Sequence, residues 1–429
     1  MLESLFKLSE RQTNVRTEFI AGFTTFLTAA YIVFVNPNIL SATGMDKGAL
    51  ITVTCIVAGV SSILMGLWAN APIMMAPGMG LNAFFAFSLV LGSGGKVSWQ
   101  EALGVVFISG VIFVILTFLG IRERIVRAIP PSIRIATSVG IGLFIAFIGM
   151  QGLGLIVKND ATLVGLGSLS KTVLLGLLGL LLIVILEIRK IKGSILIGIL
   201  ATALVGMIFG FSPFPSGVVS TPPSIAPVAF KLDILGALKV SLWASIFSFM
   251  FVDLFDSLGT LLAVCREAGL EKDGDIRDLP KMLSADATAT VFGALMGTST
   301  TTSYIESAAG VAEGGRTGMT AVTTGVLFIL AALFTPVIGA VQAYATAPAL
   351  IVVGIFMMRG IGQINFYDFE EGVPAFLTLI LMPLTYSIAQ GLVFGFITFA
   401  LIKVLMGKTK EVDPVLMIIA ALCLVSLLV

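Results

Sequence analysis

The stretch Val240-Ser-Leu-Trp-Ala-Ser-Ile-Phe-Ser-Phe-Met-Phe-Val-Asp253-Leu-Phe-Asp256-Ser-Leu-Gly-Thr260 places two aspartates in an apolar run that is long enough to cross a bilayer. A carboxylate at membrane depth costs about 2.5–3.5 kcal/mol on insertion scales, and the run contains no Lys or Arg to pair with it. Ionisable residues in such positions usually line a path for substrate or protons. The stretch therefore predicts a membrane span whose two acids are kept for function rather than for stability.

The composition of the whole chain agrees with a membrane protein. Its 429 residues are 57% hydrophobic and 11% charged, whereas soluble domains carry about 25% charged residues. The net charge of +1 gives nucleic-acid binding no electrostatic basis. Histidine is absent, so proton chemistry must use carboxylates. Three scattered cysteines form no metal spacing, and no cofactor motif or nucleophile–base pair indicates an enzyme.

Apolar runs bounded by charges, prolines and glycines predict an all-α polytopic membrane protein with about 14 transmembrane segments. We number them spans 1 to 14, at residues 17–38, 50–69, 71–92, 101–120, 131–156, 172–188, 193–212, 239–264, 281–297, 299–314, 318–340, 346–361, 373–388 and 389–407. The apolar segment 415–429 is short for a span, so we expect it to lie at the membrane interface.

The basic residues predict the orientation of these spans. With a cytoplasmic N-terminus, 19 of the 25 Lys and Arg residues fall on the inside, as the positive-inside rule requires. The densest inside group comprises Arg122, Arg124, Arg127 and Arg134.

One polar segment, 265–280, divides the chain into two halves of seven spans and reads as a cytoplasmic connector. An odd number of spans per half places two repeats in opposite orientations. Spans 3 and 10 occupy corresponding positions, and both are short and interrupted. Such a pair of broken segments is the best sequence indicator of a transport site near the middle of the membrane.

Span 3 contains Ala76-Pro77-Gly78-Met-Gly80-Leu-Asn82-Ala-Phe84. Pro77 disfavours helix at the residue before it, and glycine permits non-helical backbone. We therefore expect an extended stretch followed by a half-helix that starts near Gly80, where free N–H groups, Asn82 and Phe84 can meet a ligand. The alternative is a helix kink that lets neighbouring helices pack closely, with Asn82 bonded to another span.

Span 10 reads Gly297-Thr-Ser-Thr-Thr-Thr-Ser303-Tyr304-Ile-Glu306-Ser307. The Thr and Ser run favours extended backbone, so a second half-helix would begin near Glu306. The alternative role for Glu306 is a capping box with Ser303.

Asp253 and Asp256 lie three residues apart and thus on one helix face, together with Ser257. The alternative is that both acids only hold helices together. A chamber with acids, backbone N–H groups and aromatic rings, but with no Arg or Lys, suits a flat, neutral heterocycle rich in N–H groups. A bare cation fits as well, while an anion fits poorly.

Four segments resemble a known family: 17–37, 76–85, 251–260 and 297–307 are similar to the AzgA-like purine permeases of the nucleobase–cation symporter-2 superfamily. The resemblance covers nearly the whole chain. It implies two inverted seven-span repeats, with a core domain from residues 1–128 (spans 1–4) and 236–343 (spans 8–11). A gate domain would come from 129–215 (spans 5–7) and 344–429 (spans 12–14 and the C-terminal segment).

The resemblance also implies proton-coupled uptake of hypoxanthine, guanine or adenine. Asn82, Asp253 and Glu306 match the binding residues of the family, and Asp256 matches a further acid. We expect substrate binding by Asn82, Asp253, Glu306, Gly80, Phe84 and Tyr304, and proton coupling by Asp256, Asp253 and Glu306. One departure is that the uracil and xanthine branches carry a Gln/Glu-Asn-x-Gly signature in span 10, where this chain has Tyr304-Ile-Glu-Ser307.

The sequence thus predicts a multi-pass transporter of the plasma (inner) membrane, with purine and proton as partners, the lipid bilayer around it, and a homodimer possible through the gate domain. An anion transporter of related fold and a cation-conducting protein remain the alternatives.

Overall fold

The computed structural model describes residues 2–120, 128–272 and 275–428. Arg122, Arg124 and Arg127 of the predicted cytoplasmic group lie outside these residues. Nineteen described helices follow one another: α1 Leu2–Phe6, α2 Val15–Ala29, α3 Ile32–Leu40, α4 Lys47–Trp68, α5 Met79–Ala83, α6 Trp99–Phe118, α7 Pro131–Leu153, α8 Lys171–Ile188, α9 Ser194–Ile208, α10 Ile234–Ala237, α11 Trp243–Glu267, α12 Leu279–Met296, α13 Ser307–Ala312, α14 Gly318–Ala331, α15 Thr335–Ala340, α16 Ala343–Met357, α17 Phe369–Thr385, α18 Ile388–Leu405 and α19 Pro414–Leu428.

Short strands connect some of these helices: β1 Met75–Pro77, β2 Ile156–Asn159, β3 Leu163–Leu166, β4 Glu271–Lys272, β5 Asp275–Ile276 and β6 Thr301–Ser303. The hairpin of β2 and β3 was not predicted from the sequence, and β4 and β5 form a second hairpin inside the polar connector. A π-helical segment, Phe84–Val90, continues α5.

Nine helical segments within the described ranges are long and apolar enough to cross a membrane. Their ends carry the expected signals. Asp46 caps α4 by accepting the Ala49 N–H at 2.7 Å, and Ser98 and Glu101 form a capping box at the start of α6. The helices follow the predicted spans closely, although the count of fourteen stays a prediction.

The two broken spans meet in a small buried sheet. β1 of span 3 and β6 of span 10 pair as antiparallel strands, with Met75 opposite Ser303 and Pro77 opposite Thr301. All six strand residues are buried. Backbone of this kind is tolerated at membrane depth only where protein or a cavity satisfies it, and here each extended segment supplies hydrogen bonds to the other.

The same pairing continues beyond the strands. The Gly78 N–H donates to the Thr300 carbonyl at 2.9 Å, and the Tyr304 N–H donates to the Met74 carbonyl at 3.1 Å. The half-helices α5 and α13 follow β1 and β6 respectively. Because the strands are antiparallel, the two half-helices leave the small sheet from opposite ends.

Helix packing follows an internal symmetry. Span 2 corresponds to span 9, and span 4 corresponds to span 11. Span 2 packs on span 11 (α4 on α14), and in the same way span 9 packs on span 4 (α12 on α6). Spans 5 and 12 occupy equivalent places in the two halves and pack on each other as α7 on α16. α2 contacts α13, as its counterpart α11 contacts α5. These exchanged pairs are what two inverted repeats produce.

Glycines allow the closest of these crossings. A Cβ on Gly318 would lie 1.9 Å from the Gly66 carbonyl oxygen, and a Cβ on Gly66 would lie 2.4 Å from the Gly318 carbonyl oxygen. Gly142 and Gly354 bring α7 and α16 together in the same manner. Small residues at such interfaces let helix backbones approach each other in membranes, where van der Waals packing drives helix association.

Candidate functional site

A cavity of about 1010 Å³ lies where α11 and the start of α13 face α7 and α16. Two of the acids that line it, Asp256 and Glu306, belong to α11 and to the start of α13, and Phe255 and Ile305 line it as well. The cavity continues toward the ends of α7, α11 and α16, past Thr28, Pro131, Arg134, Thr137, Ser138, Glu187, Ser194, Arg266, Phe356, Arg359 and Gln363. The structure therefore brings one acid from span 8 and the acid of span 10 to a single chamber.

Glu306 immediately precedes the half-helix α13 and is half-buried. Its side chain does not cap α13, so the capping box with Ser303 does not form. Instead the Tyr31 hydroxyl donates a hydrogen bond to Glu306 Oε1. This bond fixes the carboxylate from one side at the cavity wall.

Asp256 lies on the cavity side of α11 and is half-buried. The side chain of Thr302, within β6, lies near its carboxyl group, and the charges that act on it come from Asp286 and Glu306. Three carboxyl groups from α11, α12 and span 10 are thus close enough to influence one another.

Asp253 occupies a different environment although it lies one turn from Asp256. It is 1% exposed and is absent from the cavity wall. It accepts hydrogen bonds from the hydroxyls of Ser257 and Thr290, each at 3.2 Å. The structure therefore separates the two aspartates of span 8 into an acid that lines the cavity and a buried acid behind it.

Ser257 connects Asp253 to a further buried acid, Asp286 of α12. Its hydroxyl oxygen lies 3.2 Å from Asp253 Oδ1 and 2.7 Å from Asp286 Oδ1, and Ser303 also bonds to Asp286, at 3.2 Å. A serine hydroxyl has one proton to donate. The two contacts are two separate hydrogen bonds when one of the carboxyl groups is protonated and donates to Ser257; otherwise the single hydroxyl proton is shared between both acids.

The remaining predicted site residues lie one layer behind the cavity. The Tyr304 hydroxyl donates to the Pro77 carbonyl at 2.5 Å, and the Phe84 ring packs on Phe249 with centroids 4.6 Å apart. Gly80 faces α7, since a Cβ there would lie 2.5 Å from Ile141 Cγ2. These residues hold the half-helices in place and do not line the chamber in this conformation.

Asn82 is fully buried in the same layer. Its Nδ2 contacts the Pro77 carbonyl at 3.4 Å, while its Oδ1 has no partner among the described residues. An unsatisfied buried acceptor costs about 1–3 kcal/mol, so this position is not kept for stability alone.

The cavity also contains basic residues, which the sequence analysis did not expect. Arg134, Arg266 and Arg359 line its outer part. Arg266 follows Asp256 by ten residues on α11, which places it about 15 Å farther along the helix axis. The acids and the arginines therefore occupy opposite ends of one cavity.

Comparison with known proteins places the chain in a family. The family model described as "Permease family" matches residues 16–394. The chain belongs to this permease family. The resemblance to the nucleobase–cation symporter-2 superfamily, drawn from the four sequence segments, is thereby confirmed.

Relatives align with the permease over nearly its full length. The adenine permease AdeQ of Escherichia coli (strain K12) is 47% identical over 98% of this chain and 95% of its own. The guanine/hypoxanthine permease PbuG of Bacillus subtilis (strain 168) is 47% identical over 97% of both chains. A permease of Methanocaldococcus jannaschii is 52% identical over 98% of this chain and 97% of its own.

Solved structures show the fold. The transmembrane domain of the cyanobacterial bicarbonate transporter BicA superposes with a TM-score of 0.67 at 14% identity, covering 88% of this chain and 96% of that one. The murine anion transporter Slc26a9 gives a TM-score of 0.62 at 10% identity, covering 91% and 68%. The predicted fold class, an all-α membrane protein with the inverted-repeat fold of these transporters, is confirmed, while the number of seven spans per repeat stays a prediction. The permease is a multi-pass membrane transport protein.

Besides the cavity arginines, sequence reasoning missed two residues that contact or neighbour the acids. Asp286 lies inside predicted span 9, and the argument that identified Asp253 and Asp256 applies to it equally. Tyr31 lies within the first family segment, but nothing in its spacing connects it to Glu306, which is 275 positions away.

Proposed function

We propose that this permease is a secondary active transporter that takes up purine nucleobases, namely hypoxanthine, guanine or adenine, together with protons. The observation that carries the proposal is the meeting of Asp256 and Glu306 at one cavity beside the start of a half-helix. Carboxylates accept hydrogen bonds from the N–H edge of a base. The names of relatives that are 47% identical, an adenine permease and a guanine/hypoxanthine permease, support the same cargo.

Within this proposal, Glu306 and Asp256 accept the N–H edge of the purine. Phe255 offers a ring for stacking at the same wall, and stacking of a base on an aromatic side chain is worth about 1–3 kcal/mol. Asn82, Gly80, Phe84 and Tyr304 shape span 3 and span 10 around the base. Asn82 has an unpaired oxygen for a base N–H if the half-helices shift during transport.

Proton coupling is assigned to the buried acids. Asp253 and Asp286 share the hydroxyl of Ser257, an arrangement that is satisfied when the pair holds one proton. Loss of that proton leaves two carboxylates close together in a medium of low dielectric constant, which is unfavourable. When acids interact this closely, a bound proton belongs to all of them together and not to one residue. The protonation of Asp256 and Glu306 is therefore coupled to that of Asp253 and Asp286.

For alternating access, residues 1–128 and 236–343 form the core domain and residues 129–215 and 344–429 form the gate domain. The cavity lies at the contact of α11 and α13 with α7 and α16, which is the boundary between these two groups. It reaches the exposed Arg266 and Arg359, which the positive-inside rule assigns to the cytoplasm. The conformation is thus inward-open, with the N-terminus in the cytoplasm of a cell bounded by the plasma membrane.

The test is uptake of radiolabelled hypoxanthine, guanine and adenine into proteoliposomes with an imposed proton gradient. Glu306→Gln and Asp256→Asn each replace a charged acceptor, and a hydrogen bond to a charged group is worth about 1.5–3 kcal/mol. We expect each variant to lose roughly ten- to a hundredfold in uptake efficiency. Glu267→Gln, at the exposed end of the same helix α11, is the matched control and should behave as wild type.

Coupling is tested separately by base exchange without a gradient. Asp253→Asn and Ser257→Ala should abolish gradient-driven accumulation while exchange of internal for external base continues. Normal accumulation in Glu306→Gln and Asp253→Asn, with protein present in the membrane, would refute the assigned roles.

Anion transport is the second candidate, because the fold is shared with a bicarbonate transporter. The likeness at 14% identity concerns the fold alone, and here two acids line the chamber beside the half-helix of span 10. An anion would meet their repulsion at that point. Competition by sulfate or bicarbonate, with no effect of purines, would favour this candidate, and a non-saturating current would favour a cation-conducting protein.

A further inference from the structure

The outer part of the cavity contains cations without anionic partners. Arg134 and Arg359 line it, and neither forms an ion pair with any residue of the described ranges. Arg266 differs, since its Nε is 3.0 Å from Glu271 Oε2. Among the described residues, Glu187 is the one acid on this part of the wall, and it accepts the Ser194 hydroxyl at 2.6 Å.

Arg134 has the more constrained position of the two unpaired arginines. It lies in the first turn of the 23-residue helix α7. At such a helix start, free N–H groups and the positive end of the helix dipole favour an anion. Its Nε is buried without a hydrogen-bond partner among the described residues. A buried guanidinium nitrogen without a partner, on a cavity wall that also carries Arg359, favours an anion at this end of the cavity.

The distance between the acidic end of the cavity and its arginine end limits the size of a ligand that carries this anion and also contacts the acids. Ile141 of α7 contacts the Gly80 position and lines the cavity near the acids. Arg134 precedes Ile141 by seven residues, about 10 Å along the helix axis. The cavity volume, about 1010 Å³, lies at the top of the usual range for small-molecule sites, and a bicyclic base fills a minor part of it.

We propose that the inward-open cavity binds a purine nucleoside 5′-monophosphate as an inhibitor, with its base at Asp256 and Glu306 and its phosphate at Arg134 and Arg359. This inference rests on the proposed function, because the base must be recognised by the same acids. In such a nucleotide the ribose separates base and phosphate by a distance comparable to that between the acidic end and the arginine end of the cavity. The phosphate contacts the gate side of the cavity while the base contacts the core side, so the ligand bridges both and holds the transporter inward-facing.

The experiment uses the full-length protein in lipid nanodiscs and measures displacement of a bound radiolabelled base. Competitors are the matching nucleoside 5′-monophosphate, the nucleoside, ribose 5-phosphate and inorganic phosphate. We expect the monophosphate to displace the base at least about tenfold more effectively than the nucleoside does, since phosphate–arginine bonds are charge-assisted. In proteoliposomes, monophosphate trapped on the cavity side should inhibit base exchange without being carried out.

Arg134→Gln and Arg359→Gln should each weaken competition by the monophosphate about tenfold and leave base binding within about twofold of wild type. Arg266→Gln is the matched control, because that arginine lines the same cavity but is already paired with Glu271. Base binding without competition by the monophosphate would overturn this inference alone. So would equal competition by the nucleoside and the monophosphate, or an unchanged competition in both arginine variants. Absence of base binding in wild type would instead refute the proposed function.

Discussion

Glu18 gives the sharpest prediction about stability. This carboxylate is fully buried in α2, and it serves the start of another helix, α14, about 300 positions later in the chain. Its Oε1 accepts the Arg316 N–H at 2.8 Å, and its Oε2 accepts the Thr320 N–H at 3.1 Å and the Thr320 hydroxyl at 2.6 Å. The first N–H groups of a helix have no partner within that helix. Glu18, from the separate helix α2, accepts hydrogen bonds at the start of α14.

The effect of Glu18→Gln follows from this geometry. The glutamine amide has one accepting oxygen and one donating nitrogen. If its oxygen takes the place of Oε2, the Thr320 donors keep their partner and the Arg316 N–H loses its own. Loss of one hydrogen bond to a charged acceptor costs about 1.5–3 kcal/mol, and loss of the negative charge at the helix N-terminus adds about 0.3–1 kcal/mol. We expect a total destabilisation of about 2–4 kcal/mol.

The measurement is the free energy of unfolding from a denaturant titration in mixed micelles, read by tryptophan fluorescence. Glu3→Gln is the control, because Glu3 accepts the Ser9 N–H at 2.9 Å on an exposed surface, and its removal should change stability by less than about 1 kcal/mol. Glu18→Ala should be worse than Glu18→Gln, since it leaves all the donors buried and unpaired. Equal stability of Glu18→Gln and Glu3→Gln would show that the reasoning about the buried cap is wrong.

Two further predictions concern glycines at close contacts. Gly80→Ala places a Cβ 2.5 Å from Ile141 Cγ2, so we expect reduced base uptake with normal membrane insertion. The double variant Gly80→Ala/Ile141→Ala should recover uptake, and a double variant as defective as the single one would contradict the steric explanation. Gly318→Val forces α14 away from α4, because its Cβ would lie 1.9 Å from the Gly66 carbonyl oxygen. We expect the free energy of unfolding to fall by at least about 1–3 kcal/mol from overpacking, measured as a lower unfolding temperature in detergent. The control Gly152→Val, where a Cβ meets nothing within 4 Å, should unfold at a temperature close to that of wild type.

The sequence predicted the helices well because bilayer thickness imposes a length and an apolar composition on every span. It also predicted where spans 3 and 10 would break, since Pro77 and the Thr–Ser run act on the local backbone. These are local properties, and the structure reports them at nearly the expected positions, with β1 at Met75–Pro77 and β6 at Thr301–Ser303.

The site was predictable only in part. The cost of burying a carboxylate identified Asp253, Asp256 and Glu306 as functional candidates, and two of them line the cavity. Spacing along one helix could not show that α12 covers Asp253 while Asp256 stays open, because that difference depends on which helix packs against each face. The arginines of the outer cavity were likewise invisible, since α7, α11 and the 3-10 turn Met358–Gln363 after α16 bring them there from distant parts of the chain.

The sequence by itself therefore determined that this chain spans a membrane many times, that its two halves are inverted, and that it carries acids at membrane depth. Solvation free energy depends on residue type and run length, so each of these conclusions follows from the order of residues alone. Only the tertiary structure decided that β1 and β6 complete each other's hydrogen bonds, that Tyr31 binds Glu306, and that Ser257 joins two buried acids. The contacts between different elements join residues 29 to 275 positions apart, and the packing of helices, which no local rule encodes, sets their distances.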